Sequence, residues 1–337
     1  MPDPTLAPDQ ILELGHAYRG AKTLLSAVEL GVFTVLAEGP ASLESLSRHT
    51  GVHERGARDF FDALVALGML RRDDTGNYAN TPETAFYLDR NKPSYIGGEL
   101  EHFSAYVFPH WSFLTEALRT GQPQSGKRAT GHYAALYADR SSLERLAKGM
   151  TGGTLPVAKM LAHAFPWKSY DTLLDVGTAQ GCLPVQIALA HPHLGGGGFD
   201  LLPVRPLFED YVREHGLADR LQFYPGDFVN DALPNADVIV LGRILHNWDL
   251  STKKLLLGKV YDALPPGGAL IVYERLIDDE RRVNASALLA SLNMLIMTAG
   301  GFDFTAADCF AWMREAGFHD LRLAPLAGEF SMIAGLK

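Results

Sequence analysis

Residues 172–181 read TLLDVGTAQG and run directly into CLPVQIALAH over residues 182–191. An apolar run, a turn with two glycines and an apolar helix form the pattern of a strand followed by a helix. Four further apolar runs alternate with helical stretches: GGGGFDL at 195–201, LQFYPGD at 221–227, ADVIVLGRI at 236–244 and GALIVYE at 268–274. Strands that are apolar on both faces and alternate with helices predict a parallel sheet covered by helices on both sides.

The chain closes with two more β-rich runs, HDLRLAPL at 319–326 and EFSMIAGLK at 329–337, with a turn at Gly328 between them. Two such runs around a glycine turn predict a terminal antiparallel hairpin. We therefore expect residues 166–337 to form an α/β domain, with a doubly wound, Rossmann-like sheet that ends in this hairpin.

The N-terminal part, residues 1–92, follows a different pattern. Apolar residues at helical spacing over 9–38 predict one or two helices, and residues 42–81 follow the order helix, turn, helix and polar hairpin. This order predicts a winged helix-turn-helix within a mainly helical domain. Residues 40–92 carry seven Lys and Arg against eight Asp and Glu, whereas duplex binding requires a basic surface. A packing or dimerising role is therefore favoured over DNA binding.

Residues 93–165 are expected to form a helical bridge that lines a substrate site. The bridge is rich in aromatic side chains: His102, Phe103, Tyr106, Phe108, Trp111, Tyr133 and Tyr137. At this spacing such side chains suit either a protein core or the wall of a pocket for a flat ligand. The residues alone leave both interpretations open.

The composition excludes several classes of protein. Of the 337 residues, 47% are hydrophobic, so the chain can bury a large core, and its length favours two domains. The net charge of -9 argues against a nucleic-acid partner. Cys182 and Cys309 are the only cysteines and form no CxxC pair, which excludes a disulfide framework and a structural zinc site. The sequence shows no signal-peptide pattern and no run of about 18 apolar residues, so we expect a cytoplasmic protein without a membrane partner.

Three strand ends carry residues that suit a nucleoside. Gly177 and Gly181 form a turn that lets the backbone and a helix N-terminus approach a ligand. Asp200 ends the second run, 19 residues after Gly181, where a carboxylate can accept both hydroxyls of a ribose. Asp227 follows the third run and could receive an adenine amino group, with the ring of Phe228 beside it.

The turn itself favours one nucleoside ligand over another. NAD usually requires a GxGxxG turn for its pyrophosphate, and the sequence GTAQGC over 177–182 does not fit that pattern. The turn also contains no Lys or Arg to support a phosphate. An adenosine ligand without phosphates is the better match, which favours S-adenosylmethionine.

Several segments together resemble one enzyme family: LLDVGTAQG, GFD, PGDF, ILHNWD, ALPPGG before LIVYE, and GGFDFTAADCFAWMREAGF. Across nearly the whole chain, these segments resemble the plant-type small-molecule O-methyltransferases and their bacterial natural-product relatives, which are class I S-adenosylmethionine-dependent methyltransferases. The resemblance implies a homodimer through the winged-helix domain. It also implies a small-molecule acceptor, a hydroxylated aromatic or similar secondary metabolite.

The resemblance implies a set of cofactor contacts: Gly177, Asp200, Asp227, Phe228, Thr154, and the backbone of Gly242 and Arg243. Two departures occur within this set. Thr178 and Ala179 stand where relatives usually have glycines, so the turn is expected to follow the methionine part of the cofactor differently. Gly242 stands where the plant enzymes have a lysine, and whether Arg243 replaces that lysine stays open.

His246 lies at the end of the fourth run, where open α/β sheets build their sites. Its position alone suits a structural role as well as a catalytic one, and the resemblance implies that it is the general base. Glu274 and Asp303 are expected to flank it and to raise the pKa of its imidazole. Asn247 replaces an aspartate common in the family, and no histidine occurs between His246 and His319. Both observations disfavour a metal-dependent variant, so we expect no metal.

The acceptor pocket is the least determined part of the site. Family position, together with the suitability of aromatic and methionine side chains for flat rings, gives these candidates: His102, Phe103, Tyr106, Trp111, Met150, Met294 and Met297. The alternatives to O-methylation are C- or N-methylation and a non-methylating S-adenosylmethionine enzyme of the same fold. A winged-helix transcriptional regulator is a more remote alternative.

Overall fold

The computed structural model describes residues 7–125 and 140–337, so Tyr133 and Tyr137 lie outside the described residues. The chain divides into two compact units, Met1–Pro109 and His110–Lys337. This division falls inside the stretch 93–165 that we expect to act as a bridge.

The N-terminal unit is mainly helical and has one short hairpin. Its elements are α1 (Asp9–Glu29), α2 (Val32–Val35), α3 (Leu43–Thr50), α4 (Glu54–Ala66), β1 (Leu70–Arg72), β2 (Tyr78–Asn80), α5 (Pro82–Tyr87) and α6 (Gly97–His102), then a π-helical turn over Phe103–Val107. Ser42 caps α3 by accepting from the Ser45 amide, and the helix ends at Gly51 in the left-handed region. Strands β1 and β2 pair antiparallel after the two helices. The predicted order of helix, helix and hairpin is confirmed.

The C-terminal unit alternates strands and helices. The boundary between the units falls within α7 (Phe108–Trp111). The C-terminal unit continues with α8 (Leu114–Thr120), α9 (Arg140–Ala164), β3 (Thr172–Val176), α10 (Cys182–Ala190), β4 (Gly195–Asp200), α11 (Arg205–Glu214), β5 (Leu221–Pro225), β6 (Val238–Gly242), α12 (Leu250–Ala263), β7 (Ala269–Arg275), α13 (Ala285–Met297), α14 (Ala306–Glu315), β8 (His319–Pro325) and β9 (Phe330–Leu336). All the predicted runs form strands.

The seven strands of this unit form one sheet in the order β5-β4-β3-β6-β7-β9-β8. The pairs among β3, β4, β5, β6 and β7 are parallel. Strand β9 pairs antiparallel with both β7 and β8, which confirms the terminal hairpin. The chain order reverses between β3 and β6, and ligands of doubly wound sheets bind at such a reversal, outside the carboxyl ends of the strands.

Alternate residues of the central strands pack into two separate cores. Ile239 and Leu270 lie in a core formed with residues of α12 and α14. Val238 and Ile271, their neighbours in sequence, lie in a second core formed with residues of α9 and α10. Since side chains alternate along a strand, this arrangement gives the sheet one apolar layer on each face and confirms the α/β sandwich.

At two of the four consecutive glycines of strand β4, a side chain would not fit. Gly196 has a φ of +123°, and a Cβ at that residue would lie 1.9 Å from the carbonyl oxygen of Leu173. A Cβ at Gly198 would lie 2.3 Å from Cγ2 of Thr178. The buried side chain of Thr178, one of the departures in the turn, therefore occupies space that glycine at residue 198 leaves open.

Among the described residues, no single helix combines the length and apolar composition needed to cross a membrane. One pair of helices, Asp9–Glu29 and Val32–Glu38, has sufficient length and apolar composition when the two are taken together, but the pair is bent by 54°.

The contact between Thr178 and Gly198 predicts a coupled pair of substitutions. Gly198→Ala should lower the free energy of unfolding by about 1–3 kcal/mol, because its Cβ overpacks against the threonine. In a Thr178→Gly background, the loss of free energy of unfolding caused by Gly198→Ala should be smaller by at least about 0.5 kcal/mol. Urea unfolding of the four proteins measures this coupling. Gly258→Ala on α12 is the matched control, since a Cβ there meets nothing within 4 Å; equal costs of Gly198→Ala in both backgrounds would contradict the packing account.

Candidate active site

The turn after β3 lies against the turn after β6. Gly177 has a φ of +75°, and a Cβ at this residue would lie 2.3 Å from Cδ1 of Ile244 and 4.0 Å from Cε1 of Phe228. Only glycine suits both this backbone conformation and this close approach. The structure thus brings the predicted glycine turn, the ring of Phe228 and the segment before His246 together at the chain reversal.

Asp200 also belongs to this turn. One oxygen of its carboxylate accepts from the Ala179 amide at 2.9 Å and the other from the Leu201 amide at 2.7 Å. Burial raises the pKa of Asp200 to about 6, against the lowering by these two amides. Each carboxylate oxygen retains further lone pairs, so the carboxylate can hold the turn and accept hydroxyl groups of a ligand.

Asp227 and Phe228 lie in the loop after β5. Asp227 accepts from the Val229 amide at 2.9 Å and from Nδ2 of Asn230 at 2.7 Å, so its carboxylate organises its own loop. Phe228 packs edge-to-face on Trp248, with ring centroids 5.8 Å apart. The ring expected to cover adenine, that of Phe228, is therefore held in place by Trp248, in the loop that follows His246.

Gly242 ends β6, and a Cβ there would lie 2.0 Å from the ring of Tyr273. Arg243 follows in the left-handed region with a φ of +57°, a conformation that is uncommon for residues other than glycine. Its amide donates to the Tyr273 carbonyl at 3.0 Å, and its guanidinium lies 5.8 Å from the centroid of the Phe330 ring. The strained residue turns the chain from the strand toward His246.

Three side chains meet at the carboxyl edge of the sheet. Nδ1 of His246 lies 3.4 Å from Oδ1 of Asp303 and 3.8 Å from Oε2 of Glu274. The His246 side chain is 15% exposed and each carboxylate only 1%. Glu274 ends the fifth predicted run, and it lies within β7, one residue before the end of the strand. Because β7 continues to Arg275 along β9, the carboxylate belongs to the strand and faces the α12 side, like Leu270 and Val272.

Burial and neighbouring charges compete in setting the pKa values of His246 and Glu274. Burial lowers the pKa of His246, but the charges of Glu274 and Asp303 outweigh burial and raise it above its ordinary value, while Arg243 opposes them. Burial also raises the pKa of Glu274, as does Asp303, against the lowering by His246. The carboxylates therefore make the imidazole a stronger base and favour a proton on Nδ1, which leaves Nε2 as the basic nitrogen.

Asn247, the departure next to the histidine, acts on the backbone. Its Nδ2 donates to the Arg243 carbonyl at 3.1 Å and to the Ile244 carbonyl at 3.4 Å. An aspartate at this position would have no donor for these carbonyls when ionised. The amide therefore closes the single turn Leu245–Asn247 that carries His246.

Four of the acceptor candidates lie in the C-terminal unit. Nε1 of Trp111 donates to Oδ1 of Asn293 at 3.0 Å, next to Met294 on α13. The carbonyl of Met297, at the end of the same helix, accepts from Oγ of Ser125 at 3.2 Å. Met150 lies on α9 with the cofactor candidate Thr154. Trp111 thus contacts the helix that carries Met294 and Met297, whereas Met150 lies on a different helix, α9.

The remaining candidates, His102, Phe103 and Tyr106, belong to the N-terminal unit. The rings of His102 and Tyr106 stack with centroids 5.6 Å apart. Burial lowers the pKa of His102, against a raising contribution from Glu99. These two rings belong to the aromatic set of the expected bridge, and that they line a substrate site stays a prediction.

Sequence reasoning missed Lys253 and Ser291. Oγ of Ser291, on α13, accepts from the Asp303 amide at 3.1 Å. Lys253 is completely buried on α12, although the pair Lys253-Lys254 suggests a solvated helix face. The signal that could have found it is the spacing 253, 256, 257 and 260, which places the lysine on the same face as Leu256, Leu257 and Val260.

His246, Glu274 and Asp303 each offer one donor atom, and these atoms lie within 4.8 Å of one another. The same carboxylates also raise the pKa of Lys253, against the larger effect of burial. The ammonium of Lys253 thus already interacts electrostatically with the carboxylates of Glu274 and Asp303. That the protein needs no metal stays a prediction.

Family models match most of the chain. A model of the O-methyltransferase domain matches residues 111–319, and a model of the O-methyltransferase dimerisation domain matches residues 12–90. The second match covers α1 to α5 and the β1–β2 hairpin, so the winged-helix unit is of the family's dimerisation type.

Individual relatives extend over the whole chain. The chain is 42% identical to a tetracenomycin polyketide synthesis 8-O-methyltransferase of Streptomyces glaucescens, over 98% of this chain and 97% of the relative. It is 35% identical to the N,N-dimethyltransferase OxyT of Streptomyces rimosus, over 98% and 97%. The crystal structure of human N-acetylserotonin methyltransferase with S-adenosylmethionine matches with a TM-score of 0.91 and 25% identity, over 100% and 99%. With a family model over its sheet domain and these relatives over its full length, the chain belongs to the O-methyltransferase family and is a methyltransferase.

Proposed function

We propose that this chain is a cytoplasmic, homodimeric enzyme that methylates a hydroxyl group of a flat aromatic secondary metabolite, with His246 as the general base. The observation that carries this proposal is the buried pair of carboxylates facing Nδ1 of His246, at 3.4 Å and 3.8 Å. This arrangement suits removal of a proton from a hydroxyl group, a step that requires a base of near-neutral pKa.

The cofactor of the enzyme is S-adenosylmethionine, which supplies an electrophilic methyl group when bound. The residues fit a nucleoside without phosphates: no Lys or Arg occurs within the turn at residues 177–181, and the carboxylate of Asp200 lies beside this turn, where it accepts from the Ala179 amide. Asp200 would hold the ribose hydroxyls, and Phe228 would cover a face of the adenine ring. Asp227, Thr154 and the backbone of Gly242 and Arg243 complete the proposed contacts.

The protein contributes a proton acceptor, its orientation and exclusion of water. Nε2 of His246 takes the proton of the acceptor hydroxyl, and Glu274 and Asp303 stabilise the imidazolium that results. Because both carboxylates are buried, little solvent screens this stabilisation. Proximity of the acceptor oxygen to the methyl group supplies most of the remaining rate.

The relatives support an aromatic polyketide as the class of acceptor. The relative with 42% identity is named for an 8-O-methylation in tetracenomycin polyketide synthesis. Trp111 and Met294, joined through Asn293, offer the aromatic and flexible apolar surfaces that suit a flat ring.

N-methylation is the second candidate function, because the relative with 35% identity is an N,N-dimethyltransferase. A neutral amine attacks through its own lone pair and needs no base before attack. The cluster of two carboxylates and one histidine therefore favours a hydroxyl acceptor over an amine.

We infer the homodimer from the family of the N-terminal unit and from one face of α1. Ile11, Leu14 and Tyr18 recur at helical spacing and are 77%, 79% and 56% exposed. An apolar stripe of this kind requires a partner, and we expect a second copy of the chain to cover it.

Our first functional prediction separates catalysis from cofactor binding. His246→Ala should lower kcat by about 100-fold or more, since a general base contributes 10²–10⁴, with the Kd for S-adenosylmethionine nearly unchanged. Asp200→Ala should raise that Kd by about 10- to 150-fold, the effect of losing about 1.5–3 kcal/mol of hydrogen bonding to a charged group. Calorimetry and turnover assays measure both quantities.

Surface residues of the same types are the controls. His319, 3.1 Å from Asp320, and Asp210, paired with Arg213 at 2.7 Å, are largely exposed, so alanine there should change neither quantity. Full activity of His246→Ala would show that no base is needed, and an unchanged Kd in Asp200→Ala would remove its ribose role. Micromolar binding of NAD would point to a dehydrogenase instead.

The acceptor is tested with labelled S-adenosylmethionine and a panel of phenols, naphthols, hydroxylated polycyclic aromatics and the matching amines, assayed in EDTA. We expect label in the hydroxylated polycyclic compounds, with activity insensitive to EDTA. Label in the amines alone would instead establish N-methylation, and loss of activity in EDTA would show a required metal.

Phe103→Ala and Met294→Ala should raise the acceptor KM far more than the cofactor KM. The control Met160→Ala, at an exposed residue of α9, should change neither KM. Equal effects of Phe103→Ala and Met294→Ala on both KM values would indicate core packing.

The dimer is tested by sedimentation equilibrium. The chain of 36.8 kDa should sediment at twice that mass, and the double change Ile11→Asp and Leu14→Asp should shift it toward the monomer because it introduces charges into a buried apolar contact. Leu323→Asp, at an exposed residue of β8, should leave the dimer intact. A monomeric wild type would overturn the proposal, and a dimer that survives the double change would place the interface elsewhere.

A further inference from the structure

Lys253 lies in an unusual place for a lysine. The residue is 0% exposed on α12, and its ammonium donates to two backbone carbonyls, that of Trp248 at 2.6 Å and that of Phe302 at 2.9 Å. Trp248 comes two residues after His246, and Phe302 immediately precedes Asp303. One side chain thus joins the two loops that carry the base and one of its carboxylates.

The surroundings of the ammonium explain how a buried charge is tolerated. Its nitrogen lies 3.3 Å from the centroid of the Phe302 ring, which gives a cation–π contact in a place with little water. Burial lowers the pKa of Lys253 to about 8, while Glu274, Asp303 and Asp249 act to raise it. An ammonium that burial destabilises this much stabilises the fold poorly, which favours a role in the site over a role in the core.

The carboxylate of Asp303 depends on its backbone for its position. Apart from the contact of Oδ1 with Nδ1 of His246 at 3.4 Å, its two oxygens accept no hydrogen bond from any described residue. The loop of Asp303 is fixed instead at two points: its amide donates to Ser291, and the preceding carbonyl accepts from Lys253. Loss of the second point would free Asp303 to move away from the imidazole.

We propose that Lys253 is a positioning residue for methyl transfer, whose ammonium joins the loops of His246 and Asp303 and offsets the charge of the two buried carboxylates. This inference rests on the proposed function of His246 as the base. Lys253 contacts neither substrate nor cofactor in this account; it acts through the segments that it joins.

The test compares Lys253→Met with Lys254→Met. Lys254 is the next residue on α12, is 39% exposed and pairs with Glu315 at 2.7 Å, so the same change there should leave kcat unchanged. Lys253→Met should lower kcat by about 10- to 100-fold, in the range of a misplaced reacting group, with the Kd for S-adenosylmethionine changed less than about twofold because the cofactor turn does not contact it.

The pH profile separates positioning from a merely structural role. The charged groups that act on His246 are Glu274 from β7, Asp303 from the loop before α14 and Arg243 from the end of β6. Lys253 acts on the imidazole through Asp303: without the contact to the Phe302 carbonyl, the Asp303 carboxylate moves away and stabilises the imidazolium less, which lowers the pKa of His246. Since the base works in its neutral form, the acidic limb of the kcat profile should move to lower pH.

Phe302→Leu provides a second variant if Lys253→Met does not fold. It removes the ring beneath the ammonium and keeps the Phe302 carbonyl, so kcat should fall and the acidic limb should move in the same direction by a smaller amount. A double variant should be no worse than Lys253→Met alone, because both changes act on one contact. A kcat and pH profile like those of Lys254→Met, in either single variant, would overturn the inference. An active His246→Ala enzyme would instead remove the proposed function, so the two failures are distinguishable.

Discussion

The repulsion between two buried carboxylates, and its relief by the imidazole between them, is the constraint on which this site depends. Glu274 and Asp303 are each 1% exposed at their side chains, where an unpaired charge is costly. The Lys253 ammonium provides compensating positive charge, and the His246 ring adds to it once the imidazole is protonated. A group of this kind persists only if the surrounding backbone holds it, so the loops around it must be rigid.

The fold supplies this rigidity from several elements at once. Strand β7 carries Glu274 within its hydrogen-bonded ladder, next to the antiparallel β9. The single turn at Leu245–Asn247 carries His246 and is closed by the Asn247 amide. Helix α12 follows that turn and places Lys253 against the loop of Asp303. Residues from three separate parts of the sequence thus converge at one edge of the sheet, beside the turn proposed for the cofactor.

The strands and the edge of the sheet were predictable because their signals are local. Short runs that are apolar on both faces and alternate with helical stretches, together with glycine turns, indicated the five parallel strands and the terminal hairpin, and the ends of those strands indicated Gly177, Asp200 and His246. The meeting of His246 with Glu274 and Asp303 came from the family resemblance, since no local pattern relates residues so far apart in sequence. Lys253 escaped because a lysine pair on a helix normally faces solvent, and only the three-dimensional packing of α12 shows which face is buried.

The departures from the family pattern have physical explanations that sequence alone could not give. Thr178 occupies space beside Gly198, on the neighbouring strand β4, so the threonine fits in the turn because residue 198 has no side chain. Ala179 adopts a φ of +49° in the same turn, where its amide donates to Asp200. These contacts keep the turn closed without the additional glycines of the relatives.

The most direct test of this account is the NMR titration of the His246 imidazole in the wild type and in Glu274→Gln, with the signal assigned from its loss in His246→Ala. We expect a pKa above the ordinary value of 6.5 in the wild type and a lower pKa in Glu274→Gln, because removing one carboxylate weakens the stabilisation of the imidazolium. A wild-type pKa at or below 6.5 that Glu274→Gln leaves unchanged would contradict it.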